Sequence, residues 1–203
     1  MTRWYAVCTA IIAAVVGLAA ARATPLRAQS GPQAVITFSV VGTIQDRGGV
    51  YYIAFAVGDS LLAGPQPDSS NWTHYVVYRG GRFFFGTVPP SSTQPFSFVS
   101  VRPPAPFVYG QVLPDRKALR VSVPLSMLQV GPAPPRRFMV NFVTTDEANR
   151  PLDALGMGAS DRLGFVTVTV GQDVYVPVRA PRGGTRPDPN FAIAGGEIQL
   201  TTP

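Results

Sequence analysis

Beyond residue 34 the chain is written in steps of two. Ile36, Phe38 and Val40 alternate with Thr37 and Ser39, and Leu119, Val121 and Val123 alternate with Arg120 and Ser122. Phe138, Val140 and Phe142 alternate with Arg137 and Asn141, and Val166, Val168 and Val170 alternate with Thr167 and Thr169. A β-strand sends successive side chains to opposite faces, so each run predicts a strand with one face in an apolar core and one in water. A helix buries a stripe of period 3.6 and cannot use this pattern. The β-branched and aromatic residues that fill the runs also suit a pleated surface.

What lies between the runs agrees with this. The 203 residues include 20 Gly and 21 Pro, without a collagen period. So many prolines would break the interiors of a helical bundle, whereas turns and sheet edges tolerate them. Residues 64–71, 88–95, 102–106 and 131–135 read as Pro-rich loops. Gly48-Gly49, Gly80-Gly81 and Gly171-Gln172-Asp173 read as hairpin turns, because paired glycines supply the positive φ that tight turns need. The segment 124–129 carries the one helical signal, a turn or two long. About ten strands follow from this spacing, as in a sandwich. The expected fold is therefore all-β, a two-sheet antiparallel β-sandwich of jelly-roll or immunoglobulin-like type. An outer-membrane barrel shares the alternation, but the short strands and Pro-rich connections argue against it.

The first residues follow other rules. Arg3 precedes an uncharged, Ala-rich apolar run from Trp4 to Ala21, and Ala21-Arg22-Ala23 offers a small-x-small cleavage site. Residues 1–23 are read as a secretory signal peptide, so the expected location is extracytoplasmic, periplasmic or secreted. Membrane contact is expected only through this leader if it is retained. Cys8, the single cysteine, lies inside the leader, so the mature chain would have no disulfide or thiolate site. Residues 24–34 are expected to be a disordered start and 35–178 the sandwich. Within 179–203, residues 179–190 are expected to be a flexible connector, and the tail after it could return as an edge strand.

With 46% hydrophobic and 14% charged residues the chain can build a core. Its formal net charge is +6. Lys117 is the only lysine, and the arginines are scattered in ones and twos: Arg79 and Arg82, Arg116 beside Lys117, Arg136-Arg137, Arg179 and Arg182. Nucleic-acid binding needs a clustered basic stripe with interleaved aromatics, so no nucleic-acid partner is expected.

Catalytic signals are thin. His74 is the only histidine, and no G-x-S-x-G elbow accompanies it, so no Ser-His-Asp triad is expected. Outside the leader Glu147 and Glu197 are the only glutamates, and nothing in the spacing selects a carboxylate pair for glycoside hydrolysis. One histidine and no mature cysteine disfavour zinc. Asp146, Glu147, Asn149 and Asp153 share one inter-strand loop whose oxygens suit calcium, and a solvated acidic loop is the competing reading. Gly156-Met157-Gly158 lacks the third glycine of a dinucleotide loop. Asn71-Trp72-Thr73 is a formal glycosylation sequon. No metal, cofactor or catalytic residue is assigned.

The aromatics remain, and Trp72 stands out because it follows the polar loop 67–71. An exposed Trp or Tyr on a sandwich can stack on a sugar ring with polar groups beside it. Trp72, His74 and Tyr75 are therefore the expected ligand-binding residues.

Tyr51-Tyr52-Ile53-Ala54-Phe55-Ala56-Val57 followed by Asp59, then Asn71-Trp72-Thr73-His74-Tyr75-Val76, resembles exported bacterial β-sandwich modules of the DOMON and family-9 carbohydrate-binding type. Asn141-Phe142-Val143-Thr144-Thr145-Asp146 and Asp153-Ala154-Leu155-Gly156 extend the likeness over roughly residues 35–178. The chain departs from the pattern after Val57, where Gly58-Asp59-Ser60 replaces a more acidic turn. The resemblance implies a two-sheet sandwich that binds a sugar or another small ligand. Haem-binding relatives use His and Met axial ligands, for which His74, Met127, Met139 and Met157 are the available side chains; nothing in the sequence pairs them. The expected role is an exported, non-catalytic module recognising a glycan or other small envelope ligand. The alternative is a structural or protein-partner role in the cell envelope.

Overall fold

The computed structural model describes residues 31–58, 63–90, 92, 94–133, 135–157, 164–171, 173–180 and 187–201. The leader 1–23 lies outside the described residues. The strands are β1 (Gln33–Val40), β2 (Val50–Val57), β3 (His74–Arg79), β4 (Arg82–Thr87), β5 (Ala105–Pro106) and β6 (Gly110–Val112). They continue with β7 (Ala118–Pro124), β8 (Arg137–Thr145), β9 (Pro151–Ala154), β10 (Val166–Thr169), β11 (Val174–Arg179) and β12 (Ile193–Thr201). One short helix, α1, covers Phe98–Val101, and the helical signal at 124–129 becomes a 3-10 turn over Leu125–Leu128.

The strands form two antiparallel sheets packed face to face, a β-sandwich. The five-stranded sheet runs β11-β12-β1-β7-β6. The seven-stranded sheet runs β10-β8-β2-β3-β4-β5, with β9 also paired to β8. Strand β10 takes the first half of β8, from Arg137 to Val140, and β9 takes the second half, from Val143 to Thr145.

The alternation read from the sequence sets the inner faces. Ile36, Phe38, Val121 and Val123 point from the five-stranded sheet toward Ile53, Phe55, Val140 and Phe142 of the seven-stranded one, and all are buried. The Phe38 and Phe142 rings stack across the gap, 4.6 Å between centroids and 9° from parallel. Phe191, just before β12, closes one end by stacking on Tyr51 at 5.4 Å.

Three sequence expectations are corrected. Of the three glycine-marked turns, Gly80-Gly81 alone makes a hairpin: Arg79 pairs with Arg82, and φ of +57° and +76° gives the turn its positive-φ pair. Gly48-Gly49 and 171–173 lead instead from one sheet to the other, since β1 and β2, like β10 and β11, lie in different sheets. Gly49 is needed for close approach: a Cβ there would press on the Phe191 ring and the Thr145 carbonyl. The tail is not an edge strand either. β12 lies between β11 and β1 and pairs with β1 from Gln33↔Thr201 to Val40↔Ile193. The sheets therefore run from Gln33 to Thr201, past both expected boundaries at 35 and 178. Part of the expected connector is held in place, since Asn190 Oδ1 accepts from the Thr43 backbone N–H at 2.9 Å. Its residues 181–186 lie outside those described.

The outer face of the seven-stranded sheet is also covered. Residues 63–73 and 94–104 fold back over it and bring Trp72, Phe96 and Phe98 onto Tyr52, Ala54, Tyr75, Val77 and Val143. Strand β2 is consequently buried along its whole length, whereas β1 alternates buried and half-buried positions.

Candidate functional site

The three residues expected to bind a ligand do not form one surface. His74 and Tyr75 are neighbours on β3, so they point to opposite faces. His74 is paired with inward-facing Phe55 and packs against Phe85, with ring centroids 5.9 Å apart. It is only 4% exposed. Its Nδ1 lies 3.0 Å from Thr73 Oγ1, and burial pulls its pKa down to about 4. Tyr75 is 0% exposed and sits beneath the covering loops, where burial pushes its phenol up to about 12. Trp72 is 4% exposed, and its indole N–H donates to the Gln66 carbonyl at 2.7 Å. Its ring lies 5.4 Å from Tyr52 and 5.4 Å from Phe96. A ring enclosed in this way offers no face for a sugar. Trp72 and Tyr75 instead hold the covering loops to the sheet, and Asn141 does the same with a side-chain amide that donates to the Pro65 carbonyl at 2.7 Å.

The acidic loop is internally satisfied. Asp146 accepts from the Arg150 and Ala148 backbone N–H groups and pairs with the Arg150 guanidinium at 2.7 Å; these bonds, the Arg150 backbone one foremost, hold its pKa below the usual value. Glu147 accepts from Gly48 N–H, Asn149 from the Tyr52 hydroxyl, and Asp153 from Ile193 N–H. The oxygens thus point to separate partners. Among the described residues no three His, Cys, Asp or Glu side chains gather where a metal could sit. His74 and Met139 stand on opposite faces of the seven-stranded sheet, so these two do not face one another as axial ligands would.

An open polar site exists on the other sheet. The outer face of the five-stranded sheet carries a cleft of about 600 Å³ lined by Thr37, Ser39, Arg120, Arg179, Gly195 and Glu197, among others. Strand register builds it. Thr37 stands directly opposite Glu197 on one side and Arg120 on the other, and Arg120 stands opposite Gln111. Carboxylate, hydroxyl, guanidinium and amide thus line up across four strands at the sheet spacing of about 4.8 Å. The Thr37 hydroxyl donates to Glu197 Oε1 at 3.3 Å. Arg120 Nε is buried and, among the described residues, has no hydrogen-bond partner. Gly195 and Gly196 leave the floor without side chains.

Tyr175 rises beside this cleft, opposite Gln199, with 63% of its surface exposed. A hydrogen bond to the Glu197 carboxylate raises its pKa above the ordinary phenol value. This is an exposed aromatic next to convergent polar groups, the arrangement expected at Trp72 but on the opposite side of the molecule. The sequence did mark Thr37, Ser39, Arg120 and Ser122 as water-facing positions of alternating strands. It gave no sign that β12 would carry Glu197 in beside Thr37, because that pairing joins residues 160 apart.

Comparison of the chain with family models, curated proteins and solved structures returns no match.

Proposed function

We propose that this chain is an exported, non-catalytic binding module that recognises a glycan or another small polar ligand of the cell envelope, in the manner of the DOMON and family-9 carbohydrate-binding modules it resembles. The open face of the five-stranded sheet carries this reading. Sugars present apolar ring faces and a rim of hydroxyls that both donate and accept. Tyr175 offers an exposed ring for the first. Glu197, Thr37, Arg120 and Gln111 offer acceptors and donors in one row for the second. Export rests on the leader pattern of residues 1–23. A binding role rather than a catalytic one is favoured because the only imidazole is enclosed between the sheets, away from this face.

The test is a glycan array probed with the full chain. Hits are expected, and Tyr175→Ala or Glu197→Gln should remove them while leaving the circular-dichroism spectrum unchanged. An array without hits would sink the reading and leave the envelope protein-partner role, which cross-linking in the native host would then address.

A further inference from the structure

A second cleft, of about 620 Å³, lies at the Gly80-Gly81 end of the seven-stranded sheet. Three guanidinium groups, those of Arg47, Arg79 and Arg82, line it together with the Phe84 ring and the Asn149 amide. Arg79 and Arg82 are directly opposite each other across the hairpin. Like charges in that relation destabilise a strand pair. Among the described residues no carboxylate lies within ion-pair distance of Arg47, Arg79 or Arg82.

Of the two acids on the cleft wall, Asp46 is offset by Arg116, while Glu147 keeps its charge against the three guanidinium groups. Asp46 pairs with Arg116 at 2.7 Å and also accepts from the Tyr78 hydroxyl. Glu147 accepts from Gly48 N–H at 2.9 Å. Two of the donors, Arg79 and Asn149, are held in place. The Arg79 guanidinium lies over the Phe84 ring, 5.4 Å from its centre, a cation–π contact that leaves its N–H groups unused. Asn149 Oδ1 is taken by the Tyr52 hydroxyl at 2.8 Å, which orients the amide and leaves its NH₂ free to donate.

We propose that this cleft is a binding site for a tetrahedral oxyanion, a phosphate or sulfate group, held by Arg79 and Arg82 with Arg47 and Asn149 completing the donor set. Guanidinium forks match the oxygen spacing of such groups and bind them with charge-assisted hydrogen bonds. A doubly charged anion between Arg79 and Arg82 turns their repulsion into a shared attraction. The site is independent of the five-stranded sheet and of the glycan reading.

The experiment is calorimetric titration of the full chain with inorganic phosphate and with inorganic sulfate. A second arm measures co-sedimentation with phosphatidylcholine vesicles, with and without phosphatidylglycerol. Saturable binding of the free anion is expected, weakening as sodium chloride is added. Arg79→Gln and Arg82→Gln should each lower affinity about tenfold or more. Arg136→Gln, which removes a charge elsewhere, should not. Binding to the anionic vesicles that is lost in the same two variants would identify a lipid-borne phosphate as the source; vesicle binding untouched by them, with free-anion binding intact, would identify the free anion. A thermal melt supplies an independent check. Without phosphate Arg82→Gln should melt at or above the wild-type temperature, and with phosphate it should melt below. The proposal is overturned if neither anion binds saturably, or if Arg136→Gln weakens binding as much as Arg82→Gln.

Discussion

The two sheets show opposite treatments of an outer face. On the seven-stranded sheet two Pro-rich excursions lie across the strands and enclose Trp72, Phe96 and Phe98 against Tyr52 and Tyr75. On the five-stranded sheet Thr37, Arg120 and Glu197 are half-buried on the outer face and Tyr175 is exposed. The seven-stranded sheet is thus covered on both faces along β2, whereas the five-stranded one keeps a partly open outer face at Thr37, Glu197 and Tyr175. A dry outer face adds packing energy but removes recognition surface. An open one contributes little to stability and leaves its polar groups free for a ligand.

The largest expected effect tests the covered side. Trp72→Ala removes a large enclosed ring together with the partner of the Gln66 carbonyl, and should lower unfolding free energy by about 3–5 kcal/mol. Urea denaturation followed by circular dichroism measures this. Sugar binding by the fraction still folded should be unchanged. A variant of near wild-type stability that loses binding would place the ligand under the covering loops and reverse the assignment of the two faces.

The next effect comes from between the sheets. In the unfolded chain His74 takes up its proton near pH 6.5, whereas burial delays this in the fold to about pH 4. Between those values the unfolded state holds more protons. The stability of keeping the imidazole neutral is thus complete above pH 6.5 and is lost as pH falls toward 4. The loss should reach roughly 3 kcal/mol at the acid end. Unfolding free energies measured from pH 7 to pH 4 should show this slope, and His74→Gln should flatten it. An unchanged slope in that variant would show that His74 is not the group responsible.

How far the sequence reached follows the same division between the faces. Alternation in β1 and β7 placed Ile36, Phe38, Val121 and Val123 inside and Thr37 and Arg120 outside, because a strand with one wet face must alternate. The same rule, applied to β3, turns adjacent His74 and Tyr75 to opposite faces, a relation that the expected grouping of Trp72, His74 and Tyr75 passed over. The covering loops were not legible. Trp72, Phe96 and Phe98 follow no period, and their docking depends on contacts with distant strands rather than on local pattern. Glycine pairs were ambiguous for a related reason. The freedom that turns a hairpin at Gly80-Gly81 also lets the chain pass between sheets at Gly48-Gly49, and only the strand pairing tells the two apart. The polar row on the five-stranded sheet stayed hidden because Glu197 reaches Thr37 through a tail that sequence alone made an edge.

The smallest expected effect compares one tyrosine from each face. The Tyr75 hydroxyl is buried and, among the described residues, has no hydrogen-bond partner. Tyr75→Phe removes an unsatisfied polar atom and keeps the ring, so stability should rise by about 1 kcal/mol. Tyr175 stands in water with its hydroxyl on Glu197, and Tyr175→Phe should change stability by no more than about 0.5 kcal/mol. Ligand affinity should respond the other way round, falling in Tyr175→Phe and holding in Tyr75→Phe. Paired denaturation and binding curves for the two variants read both quantities. If Tyr75→Phe were the variant to lose affinity, its hydroxyl would have a ligand as its missing partner, and the covered face would be the recognition surface after all.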